Sequence, residues 1–218
     1  MKRIRVVIIF SALLAFATCN TRGNNDNPAI SIIPEQAEKL DTAYLASGCF
    51  WCTEAVFERV KGVYDVVSGY SGGQKKNPSY REVSAGATTH AEAVRVMYDP
   101  DEVDYATLIE IFFGSHDPTT LNRQGPDVGK QYRSAIFYLT EEEKQIAANI
   151  KMKLEANGTF KDPIVTEITA FDTFWDAEDY HQNYYEIHPN QPYILSVSKP
   201  KVEKFMKRFK DKLKEQYK

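Results

Sequence analysis

The sequence predicts an α+β sandwich in which helices pack on a mixed sheet. β-forming runs and segments with helical spacing of apolar residues follow in the order strand, helix, strand, strand, helix, strand, with further elements after them. The composition is that of one globular domain, since 43% of the 218 residues are hydrophobic and 26% are charged. A chain of this length buries roughly 70% of its unfolded surface, so its core does not depend on disulfides.

The first half of the domain supplies three strands and one helix. A strand over residues 42–47 stops at Gly48, and a helix follows over residues 50–60, where apolar residues recur every three or four positions. Two runs rich in β-forming residues cover residues 63–70 and 93–98. A long glycine-bearing loop joins these two strands.

The second half of the domain also alternates between helices and strands. Its predicted elements are a helix over residues 105–113, a strand over 132–139, a helix over 140–156 and a strand over 164–169. Thr140 and Glu143 form a capping box, which predicts the start of the second of these helices.

The first residues have the pattern of an export signal. Three basic residues precede an apolar run over residues 6–17, which is short for a bilayer span but suits the core of a signal peptide. Residues 16–19 (Phe-Ala-Thr-Cys) resemble the lipobox of bacterial lipoproteins, in which the cysteine is acylated after cleavage. We expect residues 1–19 to be a signal peptide, of the lipoprotein type if Cys19 is acylated. The protein would then be exported, as a periplasmic protein or a membrane-anchored lipoprotein.

The remaining chain divides into a tether, a domain and a tail. Residues 20–40 begin with a polar stretch without periodicity and predict a flexible tether, whereas residues 41–200 have an even composition and predict one domain. The basic tail, residues 201–218, contains interleaved acidic residues and helically spaced hydrophobic residues, which favour an amphipathic helix over a nucleic-acid patch. A net charge of -3 likewise gives no reason to expect nucleic acid as a partner.

Cys49 and Cys52 form a C-x-x-C motif where the first strand meets the first helix. Unpaired amides at a helix N-terminus lower the pKa of a thiol, so the position predicts a reactive thiolate at Cys49. Residues three apart face each other across one helical turn, and this spacing suits reversible disulfide formation.

Three interpretations of the pair remain open at this point: a redox pair that forms a reversible disulfide, a structural zinc site, and two idle buried thiols. A structural zinc site needs two more ligands, but the predicted domain has no further cysteine and its histidines, at positions 90, 116, 181 and 188, are scattered. Two idle buried thiols are the plainest alternative. Phe50 and Trp51 stand beside the thiol, where large aromatic residues either line an apolar pocket or pack inward.

The tetrapeptide Gly48-Cys49-Phe50-Trp51 resembles the G-C-F-W motif of A-type methionine sulfoxide reductases. Later segments are similar to further blocks of that family in the same order, namely residues 69–73, 77–80, 90–92, 116–118, 124–127 and 131–134. The resemblance covers residues 43–185. It implies a ferredoxin-like sandwich, which agrees with the predicted order of elements.

The resemblance implies roles for two reacting residues. Cys49 matches the cysteine that attacks the sulfoxide sulfur and becomes a sulfenic acid. Glu92 matches the glutamic acid that protonates the sulfoxide oxygen, and a raised pKa would suit that role. Without the resemblance, Glu92 reads as a surface charge on a strand edge.

The resemblance also implies a substrate pocket. Tyr80 and Tyr132 match tyrosines that hydrogen-bond the sulfoxide oxygen, and Phe50 and Trp51 match the wall around the S-methyl group. An S-methyl group gains dispersion from aromatic rings, and phenol hydroxyls stabilise charge developing on oxygen.

Two further positions resemble residues near the bound substrate. Asp127 matches a residue close to the peptide backbone, although an aspartate that follows a proline also forms turns. His181 lies in a block similar to one that lines the family's site, although a lone histidine is more often a packing residue.

The chain departs from many family members in its second cysteine. They carry glycine where Cys52 stands and use resolving cysteines from the C-terminal tail, but residues 199–218 contain no cysteine. The resemblance therefore implies a Cys49–Cys52 disulfide after each turnover, which a thioredoxin-like donor reduces.

The resulting hypothesis is a monomeric reductase of the S epimer of methionine sulfoxide, in oxidised proteins or peptides and in the free amino acid. No metal, flavin or nucleotide cofactor is implied. Two alternatives remain: a general thiol-disulfide oxidoreductase that uses Cys49 and Cys52 alone, and an inactive surface-binding relative whose aromatic residues merely pack.

Overall fold

The computed structural model describes residues 39–218. The expected signal peptide and all but the last two residues of the expected tether lie outside this part of the chain. The helices are α1 (Phe50–Glu58), α2 (Tyr80–Ser84), α3 (Tyr105–Ser115), α4 (Glu141–Ala156), α5 (Tyr184–Ile187) and α6 (Lys199–Arg208). The strands are β1 (Asp41–Ser47), β2 (Val63–Ser71), β3 (Ala91–Tyr98), β4 (Arg123–Gln124), β5 (Asp127–Val128), β6 (Ser134–Tyr138), β7 (Glu167–Ala170) and β8 (Phe174–Asp176).

Six strands form one sheet in the order β7-β6-β1-β3-β2-β8. All neighbours in this sheet are antiparallel except β6 and β7, which are parallel. The four inner strands, β6-β1-β3-β2, have the order of a ferredoxin-like sandwich, and β4 and β5 form a separate two-stranded hairpin. The predicted α+β sandwich with a mixed sheet is therefore confirmed.

The sheet separates two apolar clusters of unequal size. On one face, Ala43 and Leu45 of β1 join the main core with residues of α1 and α3. On the other face, Ala46 joins a small cluster that Tyr44 and Phe171 cover. This alternation follows from the two-residue period of a strand. No helix within residues 39–218 has both the length and the apolar character needed to span a membrane.

Two predicted strands begin later in the structure than expected. The strand expected from residue 132 begins at Ser134, because Lys130–Tyr132 form a single 3-10 turn. The strand expected from residue 164 begins at Glu167. Before it, the Thr166 hydroxyl bonds Ser134 Oγ at 2.8 Å, so this segment is held by side-chain contacts before it joins the sheet.

The C-terminal helix is shorter than expected, so its predicted extent over residues 201–218 is wrong. Helix α6 ends at Arg208, and the chain continues through 3-10 turns. Leu213 is buried and forms a β-bridge with Val60, just past the end of α1. Because Leu213 is buried against the end of α1, the chain turns back toward α1. A continuous helix would carry Leu213 away from this contact.

Candidate active site

A sharp turn between β1 and α1 presents the first cysteine. Gly48 has a φ of +90°, and a Cβ at this position would lie 2.6 Å from Cβ of Gln124. Both the conformation and the close contact favour glycine. The turn makes Cys49 the N-cap of α1, and Cys52 follows in the first helical turn. Both thiols are free and buried, with 6% of Cys49 and 1% of Cys52 exposed.

The ionisation of the pair corrects one sequence prediction. Burial raises the pKa of Cys49 well above its usual value. A hydrogen bond from Cys49 lowers the pKa of Cys52 to about 6. Burial and the hydrogen bond between the two sulfurs thus favour a thiolate at Cys52 over one at Cys49, which differs from the expectation from the sequence.

Most amides at the start of α1 have acceptors other than the Cys49 sulfur. The N–H groups of Cys52 and Thr53 donate to the Cys49 carbonyl oxygen, at 3.2 and 3.3 Å. The Phe50 N–H donates to Glu92 Oε2 at 3.1 Å. Three amides of the first turn, those of Phe50, Cys52 and Thr53, therefore donate to a carboxyl group or a carbonyl group and not to the Cys49 sulfur.

Glu92 projects from β3 into the interior beside the start of α1. Its side chain is buried, with 1% of the residue exposed, and its Oε2 accepts the Phe50 N–H. Burial raises the pKa of Glu92 to about 8, against the opposing effect of that hydrogen bond. Asp127 and Cys52 add negative charge that raises the pKa further. Glu92 is therefore mostly protonated at neutral pH and can donate a proton.

The predicted aromatic residues lie around this carboxyl group. Phe50 is buried, and its ring centroid lies 6.2 Å from that of Trp51 and 6.3 Å from that of Tyr80. Tyr132 belongs to the 3-10 turn before β6. Burial, with the charge of Glu92 next in effect, raises the pKa of Tyr80 to about 12 and raises that of Tyr132. Both phenols keep their protons at neutral pH and can donate hydrogen bonds.

A histidine fixes one wall of the cluster. His181 is buried, and its Nδ1 accepts a hydrogen bond from Trp51 Nε1 at 3.1 Å. Burial lowers its pKa, so the ring is neutral at neutral pH. The face of the Trp51 ring stacks on Tyr184, with ring centroids 3.8 Å apart. These contacts orient the tryptophan, so His181 is both a packing residue and part of the site.

The C-terminal segment supplies a residue that the sequence did not reveal. Tyr193 donates a hydrogen bond from its hydroxyl to Asp127 Oδ2 at 2.5 Å, and this hydroxyl also faces Cys49. Its ring meets Trp51 edge-on, with centroids 5.8 Å apart. Asp127, which the resemblance places near the bound peptide backbone, thus accepts a hydrogen bond from Tyr193 in the resting protein. No motif surrounds Tyr193 in the sequence, so position alone could not identify it.

A cavity of about 610 Å³ opens onto the same two cysteines. Its lining includes Cys49, Cys52 and Tyr193, together with basic residues of α6. Glu92 and the four predicted aromatic residues are not part of this lining. The sulfur pair therefore lies between the aromatic cluster and the cavity. Within residues 39–218, no three His, Cys, Asp or Glu side chains are grouped to hold a metal ion.

Comparisons with known proteins agree with this arrangement. Residues 41–213 match the family model described as Peptide methionine sulfoxide reductase. The chain is 53% identical over 173 residues to the peptide methionine sulfoxide reductase MsrA of Deinococcus radiodurans, covering 79% of this chain and 84% of that protein. It is 54% identical over 173 residues to the MsrA of Sulfolobus acidocaldarius, covering 79% and 97%.

Solved structures show the same likeness. The reduced form of Mxr1 from Saccharomyces cerevisiae superposes with a TM-score of 0.65 at 35% identity, over 70% of this chain and 88% of that one. Methionine sulfoxide reductase A of Corynebacterium diphtheriae gives a TM-score of 0.63 at 36% identity, over 69% and 76%. The chain belongs to the peptide methionine sulfoxide reductase family, as a member of the A type.

Proposed function

We propose that the protein reduces the S epimer of methionine sulfoxide, in peptides and as the free amino acid, by thiol chemistry at Cys49. The observation that carries the proposal is the placement of a buried, protonated carboxyl group, Glu92, on the Phe50 amide beside Cys49. The aromatic cluster around the pair supplies an apolar surface for an S-methyl group.

The first step transfers oxygen from the substrate to the enzyme. The Cys49 sulfur attacks the sulfoxide sulfur while Glu92 donates a proton to the oxygen, and methionine leaves as the oxygen passes to Cys49 as a sulfenic acid. The proton that the Cys49 thiol gives up balances the one that Glu92 donates. Tyr80 and Tyr132, which keep their phenol protons, stabilise negative charge on the oxygen.

The second step closes a Cys49–Cys52 disulfide and releases water. The two residues are three positions apart at the start of α1, and Cys49 donates a hydrogen bond to the Cys52 sulfur. A thioredoxin-like dithiol then attacks the disulfide and restores both thiols, leaving as its own disulfide. The absence of another cysteine in residues 53–218 favours this local resolution.

Export remains part of the proposal. The basic and apolar pattern of residues 1–19 supports a cleaved signal, and Cys19 would carry the lipid. Mass spectrometry of the mature protein from its native host tests this directly. A lipid-modified N-terminal Cys19 supports an anchor, whereas a product that begins beyond residue 19 removes it.

The reductase chemistry is tested by a single-turnover assay without reductant, using separate S and R epimers of a peptide sulfoxide. The wild-type enzyme is expected to release one methionine per molecule from the S epimer and to lose both thiols. Cys49→Ser should release none. Cys52→Ser should release one methionine and leave a sulfenic acid that dimedone labels.

The same variants separate the two alternatives. A general thiol-disulfide oxidoreductase would exchange disulfides with a model substrate at a rate that does not depend on sulfoxide turnover. An inactive relative would release no methionine from either epimer. Methionine release by Cys49→Ser at the wild-type rate would exclude Cys49 as the attacking residue.

A further inference from the structure

The resolving sulfur is in contact with the C-terminal segment. In its thiol form Cys52 donates a hydrogen bond from Sγ to Ser198 Oγ at 3.2 Å, and 1% of Cys52 and none of Ser198 is exposed. Ser198 ends the π-helical turn Ile194–Ser198, which leads directly into α6. When Cys52 loses its proton, the same hydroxyl group can turn and donate a hydrogen bond to the thiolate, and a hydrogen bond to a charged group is stronger than one between neutral groups.

A cation is held beside the same sulfur. Lys201 lies in the first turn of α6 and lines the cavity together with Cys52. Its Nζ donates to the carbonyl oxygen of Ser47 at 3.1 Å, which fixes the ammonium group at the end of β1, just before the turn to Cys49. The positive charge of Lys201 favours the thiolate form of Cys52.

Other groups around Cys52 have opposite effects on its pKa. The hydrogen bond from Cys49 has the largest effect and lowers the pKa of Cys52; burial opposes it, Lys201 and Ser198 lower the pKa further, and the carboxylate of Asp127 raises it, so that the resulting pKa is about 6. The other titratable groups that sense Cys52 are Glu92 from β3, Tyr185 from α5 and Tyr193 before the π-helical turn.

We propose that Ser198 and Lys201 hold Cys52 as the thiolate that attacks the Cys49 sulfenic acid, so the C-terminal segment activates the resolving step. This inference rests on the proposed function. Many A-type reductases take resolving cysteines from the tail, whereas in this chain residues 198–201 supply a hydroxyl group and a cation to a resolving cysteine in α1.

The step balances in atoms and electrons. The electron pair of the Cys52 thiolate forms the S–S bond, the S–O bond of Cys49 breaks, and the oxygen leaves as hydroxide, which takes a proton from solvent to form water. The Cys52 sulfur is oxidised and the Cys49 sulfur is reduced. Ser198 keeps its proton and contacts the reacting sulfur, and Lys201 acts as a positioning residue through its charge.

The test measures two rates in a single turnover, that of methionine release and that of thiol loss, each followed by acid quench. Ser198→Ala and Lys201→Met are expected to slow disulfide formation about five- to tenfold near pH 6, with convergence on the wild-type rate above about pH 9. Methionine release should stay within about twofold of wild type. Ser198→Thr and Lys201→Arg should restore most of the rate.

Lys207→Met is the matched control, because Lys207 is an exposed lysine of the same helix outside the cavity lining. This variant should leave the rates of methionine release and thiol loss unchanged. A loss of disulfide formation as large as that of Lys201→Met would show that the effect comes from the general charge of α6, and would overturn the role of Lys201.

A direct titration separates activation from a merely structural effect. In the Cys49→Ser background, the rate of Cys52 alkylation by a small reagent is measured against pH. Ser198→Ala and Lys201→Met should move the midpoint upward by about one pH unit, because both remove support for the thiolate. A structural effect would change the alkylation rate at every pH and leave the midpoint in place.

The outcomes distinguish this inference from the function on which it rests. If the wild-type enzyme releases no methionine from the S epimer, the proposed function fails. If methionine is released but neither variant changes the resolving rate or the midpoint, the inference alone is overturned.

Discussion

Glu92 is a buried carboxyl group, and its charge state decides whether it can donate a proton. Its pKa of about 8 means that the acid form prevails at neutral pH and is lost as the pH rises through about 8. We expect Glu92→Gln to slow first-turnover methionine release roughly 10²–10⁴-fold. The ionisation near pH 8 should also disappear from the pH-rate profile of the variant, as stopped-flow or quenched-flow measurements will show.

Glu142→Gln is the control for this prediction, because Glu142 is an exposed carboxylate in the first turn of α4. It should retain the wild-type rate and profile. A Glu92→Gln enzyme that works within about twofold of wild type would remove the general acid from the mechanism.

Motif residues were the part of the site that the sequence could predict. The turn that presents Cys49 follows from the local pattern around Gly48, whereas Glu92 could be assigned to the site only through the family resemblance, because β3 is buried on both faces. Tyr193 and Ser198 were missed because they reach the site from a segment without a motif. The ionisation of the cysteine pair depends on burial and on the hydrogen bond between the two sulfurs, and spacing does not encode either.

At the scale of elements, the last residues of the chain brace the helix that carries both cysteines. Leu213 is 1% exposed, and the backbone on both sides of it bonds the end of α1: Lys61 N–H donates to Lys212 O at 2.8 Å, and Lys214 N–H to Arg59 O at 2.9 Å. We expect Leu213→Ala to lower the free energy of unfolding by about 2–4 kcal/mol, measured by urea denaturation.

Leu195→Ala provides the comparison, because Leu195 is 46% exposed and loses little burial. Its expected change is within about 0.5 kcal/mol. Equal destabilisation by the two variants would mean that the buried contact of Leu213 with the end of α1 contributes nothing specific.

The bounds of the longer helices and strands could be predicted from periodicity, and those of the short ones could not. β1, α1, β3, α3 and α4 lie within about two residues of their predicted bounds, because each buries a regular apolar face. The two- and three-residue strands β4, β5 and β8 are too short to show a period. The 3-10 turn before β6 and the turn after α6 depend on long-range contacts, which no local pattern specifies.

At the scale of the whole molecule, buried acids make stability depend on pH. Glu54 is 1% exposed and accepts the Asn183 N–H at 3.1 Å. Burial raises its pKa to about 9, and burial likewise raises that of Glu58 to about 7. Above their unfolded pKa values, the folded state binds more protons than the unfolded state, so stability falls as the pH rises toward the folded values.

We therefore expect the free energy of unfolding to decrease between about pH 6.5 and pH 9, by at most about 1.4 kcal/mol per pH unit for each acid that titrates. Glu54→Gln should flatten this decline, and Glu142→Gln should not. Urea denaturation at intervals across this range measures the slope. His116, whose burial lowers its pKa to about 3, is neutral in the folded state throughout. A slope that Glu54→Gln leaves unchanged would contradict the assignment.

The order of residues along the chain has a consequence for synthesis. Cys49 and Cys52 emerge from the ribosome well before Tyr193, Ser198 and Leu213, which complete their surroundings. A nascent chain therefore carries two thiols without the phenol, hydroxyl and brace that later enclose them. A product terminated before residue 193 would keep the cysteine motif but lack all three of these later contacts.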